Sequence, residues 1–414
     1  MRLNNLWLNG NFLKLWISET VSLFGSQISV LAIPLLAVQV LKATPVQMGV
    51  LTALGLAPIL VFGLLAGAWI DRLRRHPILL WTNIGRMALL GSIPVVSFFS
   101  LPSFGQLYLV AFLAGTLTVF FDIAYQAYLP SLVRKEELID GNSKLELSRS
   151  FAQIVGPAVA GGLVALVTAP FAVAIDALSF LVAALGIATI REPETVQSVP
   201  AEHQNILQDI KVGLHFVLSH RLLRPVVCAT SVFNLFFGII YAQQILFMTR
   251  TLHLSPVVIG IIFAIEGPSA LLGALLTTRV SKRLGIGRAI TLGGLLLALS
   301  GASFAIAGGS FPVIVTLILL SQVFGGFGGP LYNITAVSLR QGLTPDHLLG
   351  RVNATARVII MGTIPFGALL GGGVSGILGL RLTLLLAASG MLLAFGWLVL
   401  SPLFAYDQKE SSIT

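Results

Sequence analysis

Twelve separate stretches of this chain are almost free of charge and run for about 20 residues or more. That is the length a helix needs to cross the hydrocarbon core of a bilayer. The stretches are 12–40, 46–70, 77–100, 105–129, 150–168, 170–190, 225–249, 256–278, 289–308, 312–336, 356–378 and 381–401. They lack the short length and strict alternation of barrel strands. A single helix satisfies its own backbone groups in lipid, so helix is the expected state of each stretch. Composition narrows the choice further. Only 10% of the 414 residues are charged, against roughly 25% in a soluble domain, so a polar shell around a globule cannot be built. Intrinsic disorder needs the opposite balance. Cys228 is the only cysteine, which excludes a disulfide scaffold. The expected fold is an all-α membrane protein of twelve transmembrane helices.

The net charge of +9 could suggest a nucleic-acid partner, but that needs cations clustered on one presented surface. Here they come in twos and threes between apolar runs, where they act as topological signals. Lys42, Arg250 and Arg381 fall on one side of the membrane and Arg86 inside the third stretch. All other Lys and Arg residues lie on the side shared by both termini. Both termini are therefore expected in the cytoplasm of a multi-pass protein of the cell (cytoplasmic, inner) membrane. No cleavable signal peptide is evident, since the first span is too long and too polar in its middle. The longest connection, 191–224, ends in an amphipathic stretch with Ile206, Ile210, Leu214 and Val217 at helical spacing. It separates an N-terminal bundle, 1–190, from a C-terminal bundle, 225–401, followed by a tail, 402–414.

The two halves share a repeat. At one shift of 211 residues, Gly115 meets Gly326, Asn142 meets Asn353, Gly156 meets Gly367, Gly161 meets Gly372 and Gly162 meets Gly373. Weak similarity between halves is a mark of transporter folds.

Four motifs carry a family resemblance. Span two ends in Gly67-Ala68-Trp69-Ile70-Asp71-Arg72-Leu73-Arg74-Arg75, and span five carries Gly156-Pro157-Ala158-Val159-Ala160-Gly161-Gly162. Between them lies Phe121-Asp122-Ile123-Ala124-Tyr125-Gln126-Ala127-Tyr128-Leu129-Pro130-Ser131-Leu132-Val133, followed by Asn142, and later come Val337 to Pro345 and Gly350-Arg351-Val352-Asn353. The first resembles the loop 2–3 signature of the major facilitator superfamily, with Arg74 in the place of its second glycine. The second is similar to a signature of proton-coupled antiporters, with Ala160 at the first position of its glycine pair. The others resemble the bacterial branch that includes macrolide efflux proteins and the enterobactin exporter. The arginine that many drug–proton antiporters carry in span four is absent, Ala111 standing four residues before Gly115.

The resemblance implies two pseudo-symmetric six-helix bundles that rock about a central cavity. Spans 1, 4, 7 and 10 would line that cavity, and spans 2, 5, 8 and 11 would form the interface between halves. It also implies that Gly67, Asp71, Arg72 and Arg75 form a conformational latch on the cytoplasmic side. Read from the residues alone, this is a loop charge cluster that sets topology. Gly156, Pro157, Gly161 and Gly162 suit a helix that bends and packs closely, whether as an antiport element or as ordinary packing.

Ionisable groups within spans are costly and commonly functional. Glu266 and Asp122, then Glu19, are the expected proton-coupling groups. Static pairing is the alternative, since Asp122 and Arg86 lie at similar depth on consecutive spans. Asp176, near the start of a peripheral span, reads as structural. Phe24, Gln27, Tyr125, Gln126, Phe233, Asn234, Phe237, Tyr241, Gln322, Tyr332 and Asn333 offer aromatic and amide contacts for an amphipathic substrate, or else pack between helices.

Other classes find little support. Gly373-Val374-Ser375-Gly376 matches a serine-protease pattern, but no histidine follows Ser375 to serve as base, so no catalytic residue is assigned and the chain is not expected to be an enzyme. No Gly-Lys-Ser/Thr phosphate loop or His-Glu-x-x-His metal site occurs. No cofactor and no metal are expected, with the proton gradient as energy source. The expected partners are a small-molecule substrate, protons and the lipid bilayer, with no nucleic acid, and the chain acting as a monomer. The expected function is efflux of a hydrophobic or amphipathic organic compound, drug-like, macrolide-like or siderophore-like, by proton antiport. The alternative is uptake, lipid or metabolite transport, or sensing on the same fold.

Overall fold

The computed structural model describes residues 6–63, 65–70, 73–191 and 206–406. They form fifteen α-helices: α1 Gly10–Gln39, α2 Pro45–Phe62, α3 Leu65–Ile70, α4 Arg75–Phe99, α5 Phe104–Leu132, α6 Leu138–Val167, α7 Ala169–Ala188, α8 Ile206–Ser219, α9 Leu223–Leu246, α10 Pro256–Ala264, α11 Glu266–Leu284, α12 Ile286–Ala305, α13 Phe311–Leu343, α14 Leu349–Leu378 and α15 Leu380–Leu400. Among the described residues there is no strand. Twelve helical segments are long and apolar enough to cross a membrane, with α10 and α11 together making the eighth.

The helices outrun the apolar stretches that reveal them. α6 starts at Leu138 rather than near 150, α14 at Leu349 rather than near 356, and α13 continues to Leu343. Apolarity marks where lipid is, whereas a helix persists as long as its residues favour it. In the first turns of α6, Asp140 pairs with Lys144 one turn on.

The repeat extends to the backbone. α6 and α14 coincide end for end at the 211-residue shift. Lys42 (φ 54°) and His253 (φ 52°), also 211 apart, both take the left-handed conformation after the first span of their half. Asn9 Oδ1 accepts from the backbone N–H of Asn11 and Phe12, both at 3.1 Å, capping α1. At the corresponding place His220 Nδ1 accepts from Leu222 and Leu223 N–H at 3.2 and 3.4 Å. A free N–H at a helix start must find an acceptor, and two different side chains meet the same need.

The chain forms two compact units. Unit 1 comprises Met1–Ala43, Leu54–Pro200 and Leu254–Ala264. Unit 2 comprises Thr44–Ala53, Ala201–His253 and Ile265–Thr414. Spans two and eight are thus each divided, and the two divisions are again 211 residues apart. In unit 1, α1 packs on α6 and α7, α4 on α5 and α7, and α10 on α6. Phe12, Leu15, Leu79, Tyr128 and Ile187 are buried in its core. In unit 2, α9 packs on α14 and α15, and α12 on α13 and α15.

The amphipathic stretch of the linker is α8, seated on α14. Its Val217 is buried with Val227, Val352, Ala356 and Ile360. Gly213 lets the two backbones meet there, since a Cβ would stand 2.7 Å from the Arg351 carbonyl. Residues 192–205, the rest of the expected linker, and 407–414 of the expected tail lie outside the described residues. The helices expose large apolar side chains along their length, among them Trp81, Phe99, Leu166, Ile377 and Leu400. A hydrocarbon solvent accommodates such a surface and water does not.

Candidate functional site

The in-span charges of unit 1 gather around one arginine. Arg86, on α4, is 5% exposed. Its guanidinium carbon stands 4.3 Å from the ring centroids of both Phe121 and Phe180. Its Nη2 donates to Asn83 Oδ1 at 2.9 Å, one turn earlier on the same helix. Rings attract a cation through their faces and leave the guanidinium edge free to donate. Glu19 on α1 is 6% exposed, and Asp176 on α7 is 1% exposed. Asp176 accepts a hydrogen bond from Ser179 Oγ at 3.2 Å. Asp122, on α5 beside Phe121, is exposed. The charges of Glu19, Asp122 and Asp176 all act on Arg86, and those of Arg86, Asp122 and Arg149 act on Glu19. The pairing of Arg86 with Asp122 raised by the sequence is therefore part of a four-membered cluster that also takes in Asp176.

Glu266 belongs to unit 2. It is exposed and is the first residue of α11. Span eight breaks at Ile265, between α10 and α11. Pro268 explains the break, because it has no N–H to donate to the Ala264 carbonyl. Discontinuous helices at mid-membrane are a recurring means of placing polar groups in transporters. The charge of Glu266 acts on Tyr241, whose ring stacks on Phe237 with centroids 5.5 Å apart.

The glycine motif of span five makes two close contacts within unit 1. A Cβ on Gly156 would fall 2.5 Å from Gln27 Cβ on α1. Gly161 faces the Pro256 carbonyl and Gly260 Cα of α10, and Gly260 in turn faces the Pro157 carbonyl. Unit 2 repeats the crossing with α14 and the first turns of α2. There a Cβ on Gly49 would lie 2.5 Å from the Ala368 carbonyl, and one on Gly372 would lie 3.0 Å from the Pro45 carbonyl. Gly162 and Gly373 meet nothing within 4 Å, so the second glycine of each pair is not a packing requirement.

The expected substrate contacts divide into exposed and interior groups. Phe237 (44% exposed), Gln126 and Asn333 are exposed. Phe24, Gln27, Tyr241 and Gln322 are half-buried, and Phe24 meets Phe151 edge to face. Phe233, Tyr125 and Tyr332 are buried. Tyr332 bonds Thr230 Oγ1 at 2.8 Å and packs edge-on against Phe233. Asn234 Nδ2 donates to the Ile360 carbonyl at 2.9 Å, tying α9 to α14. Tyr125 Oη is buried without a hydrogen-bond partner. Of the expected latch, Gly67 lies in α3 and Arg75 opens α4, while Asp71 and Arg72 lie outside the described residues. Ser375 is buried within α14, and among the described residues no cluster of His, Cys, Asp or Glu could hold a metal ion.

Comparison with known proteins agrees with this architecture. A family model described as transmembrane secretion effector matches residues 7–413. Macrolide efflux protein A of Streptococcus pyogenes is 25% identical, over 87% of this chain and 88% of its own. Multidrug efflux pump Tap of Mycobacterium tuberculosis is 27% identical, over 88% of this chain and 87% of its own. Among solved structures, the nucleoside transporter NupG superposes with a TM-score of 0.74 at 16% identity, over 96% of this chain and all of its own. A bacterial homologue of the iron transporter ferroportin in its inward-facing state gives 0.69 at 18% identity, over 95% of this chain and 98% of its own. The match over nearly the whole length, together with the twelve spans and the repeat, places the chain in the transmembrane secretion effector family of the major facilitator superfamily.

Proposed function

We propose that this transporter exports an amphipathic organic compound from the cytoplasm in exchange for protons. It works as a monomer, with both termini cytoplasmic and no cofactor. The observation that carries the reading is the set of carboxylates within the spans, Asp122 and Glu266 exposed and Glu19 buried, alongside exposed aromatic and amide groups. Within unit 2, Phe237 and Tyr241 offer a stacked aromatic surface and Asn333 offers an amide, which suits a large, weakly polar ligand. The macrolide and multidrug efflux relatives support the direction and the substrate class. Alternating access supplies the cycle, in which proton entry down its gradient drives the return of the emptied site. The three carboxylates are the groups that can hold the proton.

The test is expression in a bacterial host lacking its own efflux pumps, with erythromycin and ethidium as probes. Cells with the transporter should tolerate more of at least one probe, and should lose this tolerance when the proton gradient is collapsed. Unchanged susceptibility to both would overturn the substrate class. Efflux that survives collapse of the gradient would overturn proton exchange.

A further inference from the structure

The cluster around Arg86 contains three carboxylates and one guanidinium, and in surroundings of low dielectric they cannot all be ionised at small cost. Two of the carboxylates are otherwise provided for. Asp176 is held by the Ser179 hydroxyl, and Asp122 is exposed. Glu19 differs from both. It is 6% exposed, and its Oε2 has no hydrogen-bond partner. A bare carboxylate oxygen in an interior costs heavily, whereas a protonated carboxyl group carries no charge to compensate. Arg86 has matching spare capacity. The rings of Phe121 and Phe180 engage its guanidinium carbon and Asn83 engages Nη2, but Nε is buried without a partner.

The second repeat shows what the fold itself requires. At the 211-residue shift Glu19 corresponds to Thr230, Arg86 to Leu297, Asp122 to Asn333 and Asp176 to Ala387. The same helix pairs form there without a single charge at these positions: α9 with α15, α12 with α15, α12 with α13. The cluster is therefore not a condition for packing.

We propose that Glu19 is the proton-binding group of this transporter and that Arg86 is its positioning residue, holding the carboxylate once the proton has left. The proposal rests on the proton-exchange reading above and assigns that role to one of its three carboxylates. The groups around Glu19 complete the electrostatics. α4 contributes Arg86, α5 contributes Asp122 and Tyr125, α6 contributes Arg149 together with Glu146, which acts on Tyr125, and α7 contributes Asp176. Binding places one proton on the Glu19 carboxyl group. Release returns it to water and leaves a carboxylate whose charge the guanidinium matches. Nothing is oxidised or reduced.

The test reads proton binding directly on the purified transporter in detergent, with no transported probe. Infrared difference spectra across a pH titration follow the carbonyl stretch of protonated carboxyl groups. The native protein should show a titrating band that Glu19→Gln removes and Asp176→Asn keeps. Arg86→Leu, which copies the second repeat, should move the midpoint by about one pH unit or more, and Arg86→Lys should restore it. If Glu19→Gln does not fold, Glu19→Thr copies Thr230 and replaces it. A band that persists without Glu19, or a midpoint indifferent to Arg86→Leu, would overturn the assignment. Because no substrate is involved, a failure of the export reading leaves this measurement standing, and the reverse also holds.

Discussion

The two repeats have nearly the same backbone and differ at four positions that are charged in the first and uncharged in the second. The first buries Glu19, Arg86 and Asp176 and exposes Asp122 within its spans. The second places Thr230, Leu297, Ala387 and Asn333 at those positions. What the repeats share is a list of backbone devices: caps at Asn9 and His220, left-handed residues at Lys42 and His253, and glycine crossings at Gly161 and Gly372. What separates them is ionisable chemistry. The shared devices define the fold, and the unshared charges are where transport chemistry can reside.

The largest effects should come from the shared crossings. Gly161→Leu places a side chain against the Pro256 carbonyl and Gly372→Leu places one against that of Pro45, so both should lose probe efflux. Gly162→Ala and Gly373→Ala meet open space and should keep it. Efflux assays beside a check of membrane insertion decide this, and equal tolerance of all four would remove the crossings from the shared list. Next comes an attempt to place charges at the corresponding positions of the second repeat. Leu297→Arg should destabilise by about 2.5–3.5 kcal/mol, read as lowered thermal stability in detergent. Adding Thr230→Glu and Asn333→Asp should recover part of the loss, as the first repeat does for Arg86.

A smaller effect is expected at the junctions of α6 with α7 and of α14 with α15. Thr168 adopts φ 70° and ψ 159°, and Gly379, 211 residues on, adopts 82° and 163°. Only glycine occupies that region without strain, and the cost for another residue is about 1–3 kcal/mol. Thr168→Gly should therefore raise the melting temperature, and Gly379→Ala should lower it. The smallest effect concerns the caps. Burial holds His220 below its ordinary value of 6.5, and its Nδ1 can accept from Leu222 and Leu223 only when unprotonated. As pH falls through about 6.5 the unfolded chain gains a proton that the folded one resists, so stability present above that pH is lost below it. The cap at Asn9 does not titrate. His220→Asn should flatten the acid side of the stability profile, by less than about 1 kcal/mol.

Much of this was legible in the sequence, and the remainder was hidden for definable reasons. The spans follow from apolar length, which is a property of composition. The polar beginning of α6 was not, because apolarity reports lipid rather than helix. The break at Ile265 follows from Pro268, but a proline inside a span does not say whether the helix bends or stops. Asp176 reads as structural from its place in a peripheral span, and only the folded arrangement brings it to Arg86. Asn142 and Asn353 show the limit of matching letters. Asn142 Nδ2 donates to the Leu138 carbonyl of its own helix, whereas Asn353 Oδ1 accepts from Arg340 Nε across a loop.

The exchange of segments between the halves has a further consequence. Thr44–Ala53 is counted with unit 2 and Leu254–Ala264 with unit 1, so each half of the polypeptide lends a strip to the packing of the other. In oligomers such a trade between identical chains is domain swapping. Here it is written into one polypeptide, and a gene fragment encoding either half alone would lack a piece of its own compact unit.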